Sequence, residues 1–297
     1  EWVYGLSARG VRYELDRMVG GLEHRGHPQR DLRVVHVTGS NGKGSTCAMI
    51  ERTLRAAGHR TGLFTSPHLH RYAERFRIDG EPIGDEEIAT RLTSIRDESD
   101  AMPPLTFFEI SVLLAFESFR DHACDVVVLE VGLGGRLDAT NTVSGRIVSV
   151  VTGITLEHPG ILGDTEELIA AEKAGIFEQG RPAVSGVRTA GPRAVVRSIA
   201  DERDCDVWEI GDAFDTRYEA LEDGRGCAHI RIGETERAYP LGLAGAHQAH
   251  NAAVAVAALH RVRESGIAVP ERAIEEGLAE AMWPARLERL VLDGQPE

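Results

Sequence analysis

The chain has 297 residues, 42% of them hydrophobic and 27% charged, which suits one large soluble α/β domain with part of a second. A formal net charge of −14 argues against nucleic acid as a bulk electrostatic partner, so any phosphate bound here must be held locally. The four cysteines, Cys47, Cys124, Cys205 and Cys227, are dispersed without CxxC pairing and fit reduced, structural thiols of a cytoplasmic protein better than a disulfide framework or a zinc site.

Val11, Leu15, Met18, Val19 and Leu22 suit one face of a helix within Tyr4 to Gly26. Arg33 to Thr38 then reads as a β-rich run, followed by a glycine-rich turn and a helix over Ser45 to Ala57 that Gly58 stops. Strand, tight turn and helix make a phosphate-binding unit. A second strand at Arg60 to Thr65 follows after the short crossover of a parallel sheet. Arg75 to Ile83 is expected to be a small β excursion turning at Asp79-Gly80, and Asp85 to cap a helix running to Arg96. Beyond Met102-Pro103-Pro104 the pattern predicts a buried helix over Thr106 to Arg120, then apolar strands at Asp125 to Val131 and Arg146 to Val151.

The alternation continues with a helix over Thr165 to Phe177, a strand at Ala183 to Ser185, a helix over Pro192 to Arg203 and a strand at Val207 to Ile210. Phe214 to Tyr239 shortens to a β period around a turn at Asp223-Gly224, as in a hairpin or small sheet added to the main one. Helices at His247 to Ser265 and Pro270 to Ala281 follow. Trp283-Pro284 then punctuates the chain, and Arg286 to Leu292 reads as the first strand of another unit. The whole predicts an α/β fold with a doubly wound, mostly parallel sheet; no apolar run approaches a membrane span, and no basic, apolar leader opens the chain.

Of the 33 basic residues, 31 are arginine and two are lysine, Lys43 and Lys173. Each lysine lies in a segment with its own chemistry. Thr38 to Thr46 (TGSNGKGST) resembles a P-loop, although Val37 stands where the first glycine would be and Gly44 follows the lysine. Its glycines let backbone N–H groups face phosphates, the helix N-terminus adds its dipole, and Lys43 supplies a point charge. Leu129 to Asn141 (LEVGLGGRLDATN) sets Glu130 at the carboxyl end of an apolar strand, where a carboxylate is well placed to hold Mg²⁺ beside nucleotide phosphates; a structural pairing of Glu130 with Arg136 is the bland alternative. Glu157-His158, Gly163-Asp164-Thr165 and Glu172 to Ile176 form a third cluster, in which burial of Lys173 would lower its pKa and let the amine take up CO₂ as a carbamate. A solvated Glu172–Lys173 pair is the alternative there. Thr106 and Glu109 fit a capping box, and Phe107 and Phe108 are expected in the core rather than against a substrate.

These segments, together with TSPHL (Thr65 to Leu69), ERFRIDGEPI (Glu74 to Ile83), TFFE (Thr106 to Glu109) and GAHQAHNAAVA (Gly245 to Ala255), resemble the folylpolyglutamate synthase and dihydrofolate synthase family, a branch of the ATP-dependent Mur ligases. They occur in the family's order across nearly the whole chain. The resemblance implies an ATP-binding domain of the Mur ligase central type over residues 1–283, with 284–297 the hinge and start of a C-terminal α/β domain that is largely absent. It implies activation of a pterin-bearing carboxylate by ATP as an acyl phosphate, attack by the amine of L-glutamate, and release of ADP and phosphate. Dihydropteroate or a reduced folate is the expected acceptor, with no nucleic-acid or membrane partner and a monomeric protein.

Carried over by motif, Asn41, Gly42, Lys43, Gly44 and Ser45 would cradle the phosphates, with Lys43, His158 and Lys173 acting in catalysis. Ser66 and Glu130 would ligate a first Mg²⁺, and His158 with a carbamylated Lys173 would serve a second. Gln248 and Asn251 would lie at the nucleotide base or ribose, and Arg286 would reach the phosphates from the linker. Glu157 departs from the family's usual aspartate. The alternatives are another Mur-type amino-acid ligase or a nucleotide-binding fragment without catalysis.

Overall fold

In the computed structural model, which describes residues 2–6, 10, 14–222 and 225–285, an eight-stranded sheet organises the chain. Two helices open it, α1 (Trp2–Gly5) and α2 (Asp16–His24), followed by β1 (Val34–Thr38), α3 (Lys43–Ala56) and β2 (Thr61–Phe64). Next come β3 (Phe76–Ile78), β4 (Glu81–Pro82), α4 (Asp85–Asp97), α5 (Phe107–Asp121), β5 (Val126–Glu130) and β6 (Val148–Val151). The series continues with α6 (Glu166–Ala174), β7 (Ala183–Ser185), α7 (Ala190–Glu202) and β8 (Val207–Glu209). It ends with β9 (Phe214–Ala220), β10 (Gly226–Ile232), β11 (Thr235–Leu241), α8 (His247–Glu264) and α9 (Glu271–Ala279).

The strand order is β4-β3-β2-β5-β1-β6-β7-β8, parallel from β2 to β8, with β3 and β4 added antiparallel at one edge. Every residue of β1, β5 and β6 is buried, as both faces of a central parallel strand must be. The two nearest neighbours of β1 are β5 and β6, so the loops after all three strands meet at one carboxyl edge. That edge carries the motifs. A separate antiparallel sheet, β11-β10-β9, covers the other side of α8. This explains why α8 is alanine-rich and buried almost all round: it lies between the small sheet and the main one, packing with Phe214, Ile230 and Leu241 on one side and Val150 and Val184 on the other.

One expectation changes. The single helix over Tyr4 to Gly26 is instead two helices, because Gly10 takes φ +68° and cannot continue either, and Val19 on α2 is 48% exposed rather than in the core. The β region after Phe214 forms a small antiparallel sheet, as expected, distinct from the main one. The turn expected at Asp223-Gly224 and the strand from Arg286 to Leu292 lie outside the described residues. Among the described residues no helix is long and apolar enough to cross a membrane.

Candidate active site

The phosphate loop joins β1 to α3. Gly42 caps α3 with φ +82°, a left-handed conformation that a side chain strains, and a Cβ there would meet Asn251 Oδ1 at 2.2 Å. No side chain caps the helix, so its first-turn N–H groups stay available to an anion. Lys43 folds back over its own loop, donating from Nζ to the Gly39 carbonyl at 2.8 Å and to that of Ser40 at 3.4 Å. Those are weak competitors for a phosphate. The loop is tied to the end of β6, since Thr152 Oγ1 donates to the Asn41 carbonyl at 2.6 Å and Asn41 Nδ2 donates to Thr155 Oγ1 at 3.1 Å. Gln248 and Asn251, expected at the base or ribose, lie here against the loop itself. Gln248 is fully buried and donates to Ser45 Oγ at 3.4 Å, while Asn251 donates to Gln248 Oε1 at 2.8 Å and abuts Gly42.

Lys173 comes to the same loop from α6. Its Nζ donates to the Gly39 carbonyl at 3.0 Å and pairs with Glu157 Oε1 at 2.7 Å, and the residue is 1% exposed. Burial and the nearby Lys43 ammonium push its pKa down to about 8, against the pull of Glu157 and Asp138. Glu157 is itself desolvated, yet Lys173 and then Lys43 hold its carboxyl below the usual range. Both lysines, Glu157 and His158 line one small pocket closed by Gly132 to Gly134. His158 stands exposed on its loop with φ +44°. The solvated Glu172–Lys173 pair is not what forms: Glu172 pairs with Arg136 at 2.8 Å, which also leaves Glu130 without the Arg136 partnership considered above.

Glu130 ends β5, 5% exposed, and accepts from the Ser66 backbone N–H at 2.8 Å. Two hard oxygen donors, the Ser66 hydroxyl and the Glu130 carboxylate, thus stand at adjacent strand ends beside the phosphate loop, a set that fits Mg²⁺ completed by phosphate oxygens and water. For a second ion the fit is poorer. Among the described residues no three His, Cys, Asp or Glu side chains cluster as a metal site, and Lys173 in its ion pair is an ammonium, leaving His158 as the donor.

Beside these groups opens a cavity of about 410 Å³, lined by Phe107 and Phe108 of α5, by Ser66, Pro67 and Arg75, and by the 132–139 segment. The capping box forms as expected: Glu109 Oε2 accepts from the Thr106 N–H at 2.7 Å, and Thr106 Oγ1 from the Glu109 N–H at 3.3 Å. Phe107 and Phe108 pack against the core, as expected, and also line the cavity. The box fixes the start of α5 so that both rings, each only partly buried, reach the cavity wall, and Phe108 lies so close to Gly132 that a Cβ there would meet it at 2.4 Å. Asp138 braces the opposite side by accepting from the N–H groups of Gly132 at 3.1 Å and Leu133 at 3.0 Å. Neither Arg75 nor Asp138 was singled out by the sequence. An arginine one residue before β3, the strand next to the sheet edge, was the available signal.

At the far side of α3, Trp283 closes on Gly44, whose Cβ would lie 2.7 Å from Trp283 Nε1, and Arg77 stacks over the indole at 5.9 Å. The linker is therefore packed on the phosphate-loop helix at least to Trp283. Arg286 lies outside the described residues.

A family model described as the Mur ligase middle domain matches residues 37–259. The dihydrofolate synthase/folylpolyglutamate synthase of Bacillus subtilis is 36% identical over 97% of this chain and 68% of its own length. The human mitochondrial folylpolyglutamate synthase is 40% identical over 77% of the chain, which spans 37% of it. Among solved structures, Escherichia coli FolC in complex with DHPP and ADP superposes with a TM-score of 0.86 at 34% identity, covering 98% of this chain and 67% of that one.

Proposed function

The chain belongs to the folylpolyglutamate synthase/dihydrofolate synthase family, with a Mur ligase middle domain at its centre, and from that premise we propose that it carries the nucleotide and acceptor sites of a glutamate ligase. The reaction would be ATP-dependent amide formation between L-glutamate and the carboxylate of dihydropteroate or a reduced folate.

One observation carries this reading. Ser66 and Pro67 line both the aromatic-walled cavity and the pocket that holds Glu130, while Gly132 and Leu133 line both that cavity and the pocket of the two lysines. A flat, apolar acceptor lying between Phe107, Phe108 and the 132–139 segment would therefore present its carboxylate where a γ-phosphate on the loop is held. The aromatic wall of Phe107 and Phe108 suits a flat ring system, which favours a pterin-bearing acceptor over another Mur-type substrate.

In that arrangement the N–H groups of Gly42 to Ser45 and the Lys43 ammonium bind the outer phosphates, and Lys43 gives up its two loop carbonyls to do so. Mg²⁺ at Ser66 and Glu130 would neutralise charge on the transferring phosphoryl group. Lys173 places a second positive charge beside the Gly39 carbonyl, close to where the acyl phosphate forms, and Glu157 holds it there. Ligation of a second ion by His158 and a carbamylated Lys173 would require Glu157 to release that amine first. Asn251 and Gln248 keep the loop in shape from behind, and Arg286 is a further phosphate contact carried over by motif.

The test is ADP release with dihydropteroate, tetrahydrofolate and L-glutamate offered singly and together. ADP formation that needs both an acceptor and glutamate supports the reading; hydrolysis indifferent to both, or dependence on a UDP-muramyl acceptor, overturns it.

A further inference from the structure

Three arginines in the described residues are buried to 6% exposure or less: Arg75, Arg146 and Arg261. Arg146 has Glu178 at 3.4 Å, and Arg261 has Asp206 at 2.5 Å and Glu264 at 2.8 Å. Arg75 has no carboxylate within ion-pair distance among the described residues. Its Nε donates to His68 Nδ1 at 2.8 Å, and its guanidinium stacks at 5.2 Å from the ring centre of Phe107 and 6.0 Å from that of Tyr72. His68 accepts that bond through a ring nitrogen and supplies no negative charge, since an imidazole is neutral or cationic. Glu130 acts on it only through space, without a contact pair, and a buried cation with no anion in contact is costly, so proteins keep one where a ligand completes the pair.

The fold says where that ligand lies. Strand β3 runs antiparallel to β2 with Phe64 opposite Phe76, and the Thr65 N–H donates to the Arg75 carbonyl at 3.2 Å. Arg75 therefore stands beside Ser66 at the carboxyl edge of the sheet, and both line the 410 Å³ cavity. Its terminal Nη atoms make no hydrogen bond to a described residue.

Building on the acceptor reading above, we infer that Arg75 is the residue that positions the aryl carboxylate of a pteroate-type acceptor, pairing with it through the free fork of the guanidinium while the ring system lies along Phe107 and Phe108. No proton transfer is asked of it. The guanidinium holds one carboxylate geometry beside Ser66 so that an oxygen faces the phosphate loop. A lysine would supply the charge without the fork.

The test compares binding of pteroate and of its neutral carboxamide, without nucleotide, to wild type, Arg75→Met and Arg75→Lys. Wild type should favour the carboxylate by about tenfold or more, as expected for a charge-assisted pair. Arg75→Met should bind both equally, and Arg75→Lys should recover part of the preference. Thermal unfolding of the ligand-free proteins supplies a second readout: removing an unpaired buried charge should leave the melting temperature of Arg75→Met unchanged or raised, whereas a merely structural guanidinium would lower it. An undiminished preference for the carboxylate in Arg75→Met, or a lowered melting temperature with the preference intact, overturns the inference alone. Failure of wild type to bind either compound overturns it together with the acceptor reading.

Discussion

Glu157 Oε1 and Lys173 Nζ lie 2.7 Å apart, with the amine almost wholly buried and also bonded to the Gly39 carbonyl of the phosphate loop. The pair fixes the charge state of the one lysine in the site that has an alternative. An ammonium held this way cannot take up CO₂, so the ion pair and a carbamate compete for the same nitrogen.

Shortening the acid should tilt that competition. In Glu157→Asp the carboxylate withdraws by one methylene, and native mass spectrometry in bicarbonate should show a one-CO₂ adduct that Lys173→Met abolishes. In nucleotide-free wild type the adduct should be weaker. An adduct equally abundant in wild type and Glu157→Asp would show that the pair does not control the amine.

Stability should carry the signature of Lys173 at alkaline pH. Its ordinary value of 10.5 falls to about 8 in the fold, so between those values the unfolded chain binds a proton that the native chain has released. Stability gained from this group therefore rises with pH across that window. Measured by urea unfolding, wild type should gain on Lys173→Met by up to roughly 3 kcal/mol between neutral pH and pH ~10. A difference that stays flat, or moves the other way, would contradict the burial of a charged amine.

Gly42 should tolerate no side chain. Its φ of +82° and the 2.2 Å approach of a Cβ to Asn251 Oδ1 predict that Gly42→Ala loses about 1–3 kcal/mol of stability and most of its nucleotide affinity. Adding Asn251→Ala should relieve the clash but not the backbone strain, restoring part of the stability. Full recovery in the double variant would place the cost in the clash alone.

Trp283 should report on the phosphate loop. It packs on Gly44 and under Arg77, whereas Trp208 sits with Arg261 away from the loop and Trp2 belongs to the first helix. Titration with Mg²⁺-ATP should change tryptophan emission, and Trp283→Phe should remove that change. Persistence of the full signal in Trp283→Phe would mean that the linker does not sense the loop.

Strands with a strong apolar run were legible from sequence, because Val34 to Thr38 and Val126 to Glu130 are buried on both faces and show it residue by residue. The N-terminal helix was legible only in part: Met18 and Leu22 do form the buried face of α2, but the start at Tyr4 was not, since Gly10 takes a left-handed backbone between α1 and α2. Lys43, Lys173 and Glu130 could be named from glycine-bearing segments at strand ends, and the structure brings the two lysines onto one carbonyl, that of Gly39. Arg75 could not be named. Its meaning depends on the register of β3 against β2 and on the lack of a carboxylate within ion-pair distance among the described residues, which are three-dimensional facts. The capping box explains why α5 begins at Phe107 but not which way its first turn faces, so the sequence showed the core packing of Phe107 and Phe108 but not that they also line the cavity.

The two lysines share a loop and should have separable roles, and one pair of titrations separates them most directly. Mg²⁺-ATP binding is measured calorimetrically for wild type, Lys43→Met and Lys173→Met, alongside glutamate-dependent ADP release by the same proteins. The expected result is about a tenfold or greater loss of ATP affinity in Lys43→Met, ATP affinity within a few-fold of wild type in Lys173→Met, and loss of ligation in both. Unchanged ATP affinity in Lys43→Met, or wild-type ligation by Lys173→Met, would contradict it.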